Sequence, residues 1–274
     1  MRIVKILNNN IVLSKSEGEE CIVTGKGIAF GKKNGQLIND ENIEKIFRLS
    51  NQERERMITL LNEINKDVLM LTQKIIEEAN RLYDKPLAES IYIGLTDHID
   101  YAIKRTKDNL NITNPLLYEI RLLYPREYKV GIHALEMIKS EFDVQLPKDE
   151  AGFIAMHIIN NSMDEDISNV YEITKISKGI IDIVHYHFNI DFSEEELNYS
   201  RFLTHLKFFS QRILNKQSLN QVTDESMLKG LEEKFPKISE CINKINIFLQ
   251  HNYQHSISTD ERVYLILHIA RVLK

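Results

Sequence analysis

Four histidines stand out by position: His98, His157, His205 and His268. His98 and His205 are 107 residues apart, and His157 and His268 are 111 apart. With a pKa near 6.5, an imidazole is largely neutral at pH 7 and keeps one ring nitrogen bare. It can then serve as a metal ligand, a proton shuttle or a phosphoryl acceptor. A metal site needs further Cys, Asp or Glu ligands at fixed spacing, and none is apparent. The cysteines, Cys21 and Cys241, form no C-x-x-C pair. His185 with His187, and His251 with His255, lack an H-E-x-x-H context and read as surface or chance pairs. Neither G-x-S-x-G nor G-x-x-x-x-G-K occurs, so no catalytic activity, cofactor or metal is indicated. The plain alternative for each of the four is a hydrogen-bonded histidine on the border of a helical apolar stripe.

A second constellation lies in the first 36 residues. Lys5, Asn8, Asn9, Asn10, Lys26, Phe30, Lys32 and Lys33 combine cations, amides and one aromatic, with Gly25 and Gly27 around Lys26. Lysines meet phosphates, Asn reads base edges, Phe stacks on a splayed base, and glycines let the backbone come close. That is an inventory for folded RNA. A solvated cationic face on a turn-rich β-domain is the other reading. Residues 1–36 hold six basic against three acidic residues, a net of +3; given −5 for the whole chain, the remainder carries −8. Polyanion binding is therefore confined to the N-terminus.

Two kinds of element must position these groups. Ile3–Leu7, Ile11–Leu13, Cys21–Val23 and Gly27–Phe30 read as four short antiparallel strands. They are separated by turns at Asn8–Asn10, Ser16–Gly18, Gly25–Gly27 and Asn34-Gly35, with a short helix near Asp40–Phe47. A unit this small buries little surface, so it is expected to dimerise. Beyond residue 56 the hydrophobic period becomes 3.6. Met57–Tyr83, Leu87–Arg105, Pro115–Tyr124, Val130–Phe142 and Lys148–Asn161 read as helices, and a second set starts near Tyr171. Pro86, Pro125, Pro147 and Pro236 mark helix boundaries.

The second half repeats the first. YIGLTDHIDYAIKR at 92–105 lies over YSRFLTHLKFFSQR at 199–212, and LPKDEAGFIAMHI at 146–158 over ISTDERVYLILHI at 257–269. A repeat of about 105 residues means duplicated all-α domains rather than a solenoid. The expected class is multidomain: a small all-β head at 1–56, a linker at 57–66, and homologous helical-bundle domains at 67–169 and 170–274. No apolar run reaches the length of a membrane helix and no secretory h-region is visible, so a reducing, cytoplasmic setting is expected.

Several longer motifs resemble the BglG/SacY/LicT family of bacterial transcriptional antiterminators: KILNNN at 5–10, VTGKGIAF at 23–30, LTDHI at 95–99, DEAGFIAMHI at 149–158, LTHLKFF at 203–209 and LHIARV at 267–272. The likeness is nearest to its LicT-like, β-glucoside-responsive branch. It implies an RNA-binding head followed by two regulatory domains of the phosphotransferase system. As a symmetric dimer, the head would hold a ribonucleic antiterminator hairpin and so prevent a terminator from forming. By position, the RNA contacts would be Lys5, Asn10, Gly25, Lys26, Gly27 and Phe30. Lys26 stands where several relatives have Arg, so a bidentate fork is lost there. The phosphorylated histidines would be His98 and His157, acted on by a sugar permease (enzyme II) to inhibit. His205 and His268 would be acted on by the phosphocarrier HPr to activate. A rival of another class, a DNA-binding activator with the same regulatory domains, would need a helix-turn-helix head, against which the Asn- and Gly-punctuated strands speak.

Overall fold

The computed structural model describes residues 1–16, 18–162, 170–192, 196–217 and 224–274. Glu17 of the Ser16–Gly18 turn and the domain boundary expected at 169/170 lie outside these. The chain forms two compact units: Met1–Thr113 with Lys129–Glu165, and Asn114–Tyr128 with Asp166–Lys274.

The head is a four-stranded antiparallel meander of β1 (Arg2–Asn8), β2 (Ile11–Ser16), β3 (Glu19–Thr24) and β4 (Lys45–Phe47), in that spatial order. The first three expected strands are present. The fourth is not where it was expected: Gly27–Phe30 is a series of turns, and the expected helix at Asp40–Phe47 is a single 3-10 turn (Asp40–Asn42) leading into β4. The reason is local. Gly27 and Gly31 adopt φ of +66° and +69°, and a chain bent twice within five residues cannot run straight as a strand. Ile43 and Ile46 meanwhile pack against the core of Ile3, Val12, Cys21, Val23, Ile28 and Ile38, which an extended β4 permits.

Val12, Leu13, Ser14 and then Cys21 through Thr24 are all buried, so both faces of the central strands are covered. Part of that cover comes from the helices that follow. Phe47 meets Tyr92 edge-on with ring centres 4.8 Å apart, Arg48 N–H donates to Glu89 at 2.6 Å, and Arg54 pairs with Glu20 at 3.1 Å.

Helix α1 (Asn51–Glu63) starts at a Ser50–Glu53 capping box and takes in much of the expected linker; α2 spans Lys66–Asn80. The single helix expected over Met57–Tyr83 is thus two. Asn65 breaks it, because its side chain accepts from Asp67 N–H at 3.0 Å and starts a new helix. Next come α3 (Ile91–Lys107), α4 (Leu117–Leu123), α5 (Pro125–Phe142) and α6 (Asp149–Asn160). The second set is α7 (Val170–Phe188), α8 (Leu197–Leu214), α9 (Glu225–Lys234), α10 (Pro236–Tyr253) and α11 (Thr259–Val272). Pro125 and Pro236 open α5 and α10, where a missing N–H costs nothing.

Within the first unit α3 packs on α2 and α6; within the second, α8 packs on α7 and α11. The repeat is therefore structural as well as sequential. It is imperfect at α4, which packs on α7 and α8 inside the second unit, whereas α9 packs on α10 and α11. Gly131 lets α5 press on α6: a Cβ there would lie 2.3 Å from Ala151 O. Gly131→Ala is expected to destabilise the protein by about 1–3 kcal/mol through overpacking, read as a lower denaturant midpoint, while Gly230→Ala, with open space around it, does not.

Candidate nucleic-acid interface and histidine pairs

The head's loop between β3 and the core residue Ile28 is built on Asn10. Its side-chain carbonyl accepts from Gly27 N–H at 2.8 Å, its backbone carbonyl accepts from Gly25 N–H at 2.9 Å, and Ala29 N–H donates to Asn9 O at 3.0 Å. The Asn8–Asn10 turn thus carries the Gly25–Phe30 loop. Gly25 has a structural need of its own, since a Cβ there would sit 1.7 Å from Asn42 O. On this scaffold Lys5 and Lys26 are exposed and Phe30 is 77% exposed, an unusual position for a phenyl ring with an apolar core close by. Lys32 is tied to Leu37 O and Asn39, whereas Lys33 is exposed. Exposed lysines and an exposed aromatic ring on this scaffold suit phosphate contact and base stacking.

The histidines come together in pairs, one pair per unit. His98 on α3 and His157 on α6 have ring centres 5.0 Å apart; His205 on α8 and His268 on α11 are 3.9 Å apart. All four are half-buried. Burial, with the His98 ring beside it, holds His157 down at about 4. Burial and then His205 do the same for His268, also about 4, while His205 is lowered by burial, Arg271 and Arg212. At neutral pH these three rings are neutral and each keeps a nucleophilic lone pair.

Around this shared plan the two sites differ in their carboxylate. Buried Glu150 on α6 bonds Arg105 through Oε1 and lies 3.0 Å from His98 Nε2 through Oε2. Its repeat counterpart Glu261, equally buried, accepts from Ser258 N–H at 2.9 Å in a capping box and lies 3.1 Å from His255 Nε2. Arg212, the counterpart of Arg105, sits 5.5 Å from the Tyr264 ring instead, and Tyr264 donates to His205 O at 3.0 Å.

The sequence pattern marks the four histidines but not Glu150 or Tyr264, and it reads His255 as part of a surface or chance pair. The repeat alignment held the signal for the first two, since Glu150 lies over Glu261 and Phe153 over Tyr264. His255 is not the surface residue it was expected to be. His185 Nδ1 bonds the nearby Ile190 carbonyl, and His187 Nε2 bonds the Lys237 carbonyl of α10 at 3.0 Å.

Residues 1–56 match the CAT RNA binding domain, and residues 73–161 and 178–272 each match the PRD domain. The chain is 42% identical over 276 residues to the transcription antiterminator LicT of Bacillus subtilis (strain 168), covering 100% of this chain and 99% of that protein. The chain belongs to the BglG/SacY/LicT family of antiterminators. It is 38% identical over 274 residues to a beta-glucoside operon antiterminator of Dickeya chrysanthemi, with 99% and 96% of the two chains covered. It also resembles the crystal structure of GlcT CAT-PRDI, with a TM-score of 0.55 and 33% identity over 60% of this chain and 98% of that one. As a family member it is an RNA-binding regulator of transcription with two PRD domains, not an enzyme. No helix among the described residues is long and apolar enough to cross a membrane.

The lowered pKa values of His157 and His268 set a pH dependence. The unfolded chain takes up their protons as pH falls below about 6.5, and the folded chain does so only near 4. Their contribution to stability is therefore full above about pH 6.5 and is lost as pH falls towards 4. Denaturant midpoints measured from pH 7.5 to 4.5 are expected to drop over that window. In a His157→Asn, His268→Asn variant they drop less.

Proposed function

We propose that this chain, as a homodimer in the cytoplasm, binds a ribonucleic antiterminator hairpin in a leader transcript through Lys5, Asn10, Gly25, Lys26, Gly27 and Phe30. Holding that hairpin prevents the competing terminator and opens expression of sugar-uptake genes, β-glucoside genes in the first place. His98, His157, His205 and His268 are the control points. Enzyme II of the permease phosphorylates the first pair to inhibit, and HPr phosphorylates the second to activate. The domains run 1–56, 67–169 and 170–274, joined by residues 57–66.

The observation that carries this reading is the pairing of half-buried imidazoles at duplicated positions in a chain whose head bears an exposed Lys- and Phe-bearing loop. A phosphoryl group brings about −1.5 to −2 charges. Two unit charges about 4 Å apart at an effective dielectric near 20 interact by about 4 kcal/mol. Loading rings that lie 3.9 Å apart is thus enough to repack a helix pair. In the first unit a physical route leads on to the loop. Tyr92 on α3, less than two turns before His98, accepts from Lys45 Nζ at 2.5 Å, and Lys45 of β4 pairs with Thr24, the residue before Gly25.

The test is binding of the full chain to a bulged RNA hairpin over a range of salt, beside duplex DNA of equal length. Salt-sensitive binding to RNA alone is expected. Lys26→Ala is expected to weaken it and reduce the salt slope by about 1. Phe30→Ala is expected to cost about 1–3 kcal/mol with the slope unchanged. Equal affinity for RNA and DNA would overturn the reading.

A further inference from the structure

The two histidine sites differ because the repeat differs at two positions that compete for one carboxylate. In the second unit, Glu261 is engaged by Ser258 N–H and by His255. The positions that correspond in the first unit, 111 residues earlier, are Pro147 and Val144. Proline has no N–H to offer and valine no imidazole, so neither can hold Glu150. Glu150 turns instead to Arg105 and His98.

What Glu150 does to His98 follows from ring chemistry. His98 Nε2 and Glu150 Oε2 are both enclosed and, although 3.0 Å apart, are off the line of an ideal hydrogen bond; neither has another partner among the described residues. A bare Nε2 would set its lone pair against a carboxylate oxygen at that distance, which the low-dielectric surroundings make costly. The ring proton therefore belongs on Nε2, as it does wherever a carboxylate orients an imidazole. The exposed 17% of the His98 side chain comes from its other atoms, because Nε2 itself is enclosed.

We propose that Glu150 is a positioning residue for His98: it keeps the proton on Nε2, leaves Nδ1 as the one nucleophilic nitrogen, and makes the first site an Nδ1 phosphoryl acceptor. This rests on the reading of His98 as a phosphorylation site. In the transfer, the Nδ1 lone pair forms the new N–P bond as the N–P bond of a phosphohistidine donor breaks. The bonding pair leaves with the donor ring, which carries a proton on its other nitrogen and so becomes a neutral imidazole. His98 then carries the phosphoryl group on Nδ1 and its original proton on Nε2, a cationic ring facing the Glu150 carboxylate. No proton has to enter or leave. Among the described residues the second site pairs no carboxylate with His205; Arg212 lies by the Tyr264 ring, and Tyr264 donates to the His205 carbonyl.

The test uses the full chain. In 15N NMR of the unmodified protein, with His98 assigned by its loss in His98→Asn, a protonated Nε2 and a bare Nδ1 are expected. Phosphoramidate, a small N-phosphoryl donor, then serves as the probe, with the isomer read by 31P NMR. His98 is expected to carry the Nδ1 isomer. Glu150→Gln is expected to slow modification of His98 about tenfold or more and to lose the preference for Nδ1, while His205 is unaffected. A bare Nε2 in the unmodified chain, an Nε2-phosphorylated His98, or an unchanged isomer and rate in Glu150→Gln would overturn the proposal. An unmodified His98 whose Nε2 nevertheless carries the proton would overturn the phosphorylation reading, and the acceptor role with it.

Discussion

Packing two imidazoles against each other, where two helices of one repeat cross, constrains everything else in this protein. Added charge in that setting must be paired, hydrated or expelled. Burial holds His157 and His268 down at about 4, well clear of physiological pH, so ordinary acidity does not disturb the sites. A phosphoryl group is an input they cannot absorb without rearrangement. That separates a chemical signal from background proton traffic.

The same constraint explains why the surroundings of the rings matter as much as the rings. The two pairs share backbone positions and helix neighbours, yet one has Glu150 with Arg105 and the other has Tyr264 with Arg212. A cation next to a phosphoryl group forms charge-assisted hydrogen bonds, whereas a carboxylate repels it. Equivalent modification at the two sites would therefore have unequal consequences. The difference traces to helix-start chemistry. Ser258 draws Glu261 into a capping box, and Pro147, with no N–H to donate, leaves Glu150 to Arg105 and His98.

Much of this was legible in the sequence. Alternation of Ile and Val with Asn- and Gly-bearing turns marked three strands, the 3.6 period marked the helices, and the internal repeat located the histidines. The failures have physical causes. Gly27–Phe30 had strand composition, but its positive-φ glycines force turns, and no period reveals that. Asn65 reads as one polar residue in a helical stripe until its side chain is seen closing on Asp67 N–H. Gly25 also meets a packing need that its neighbours in sequence do not reveal, since a Cβ there would strike Asn42 O, 17 residues on. The pairing of the histidines, and the carboxylate behind His98, depend on which helices pack together, and a one-dimensional pattern carries that only through the repeat.

The account's central claim is that charge placed on the histidine pairs governs the grip of the head on RNA. The most direct measurement is the dissociation constant of one RNA hairpin for the full chain, unmodified and then phosphorylated on the first pair alone, at fixed salt and chain concentration. A weakening of about 5–150-fold, the usual range for coupled sites, is expected. An unchanged constant with both His98 and His157 shown to carry phosphoryl groups would contradict the account.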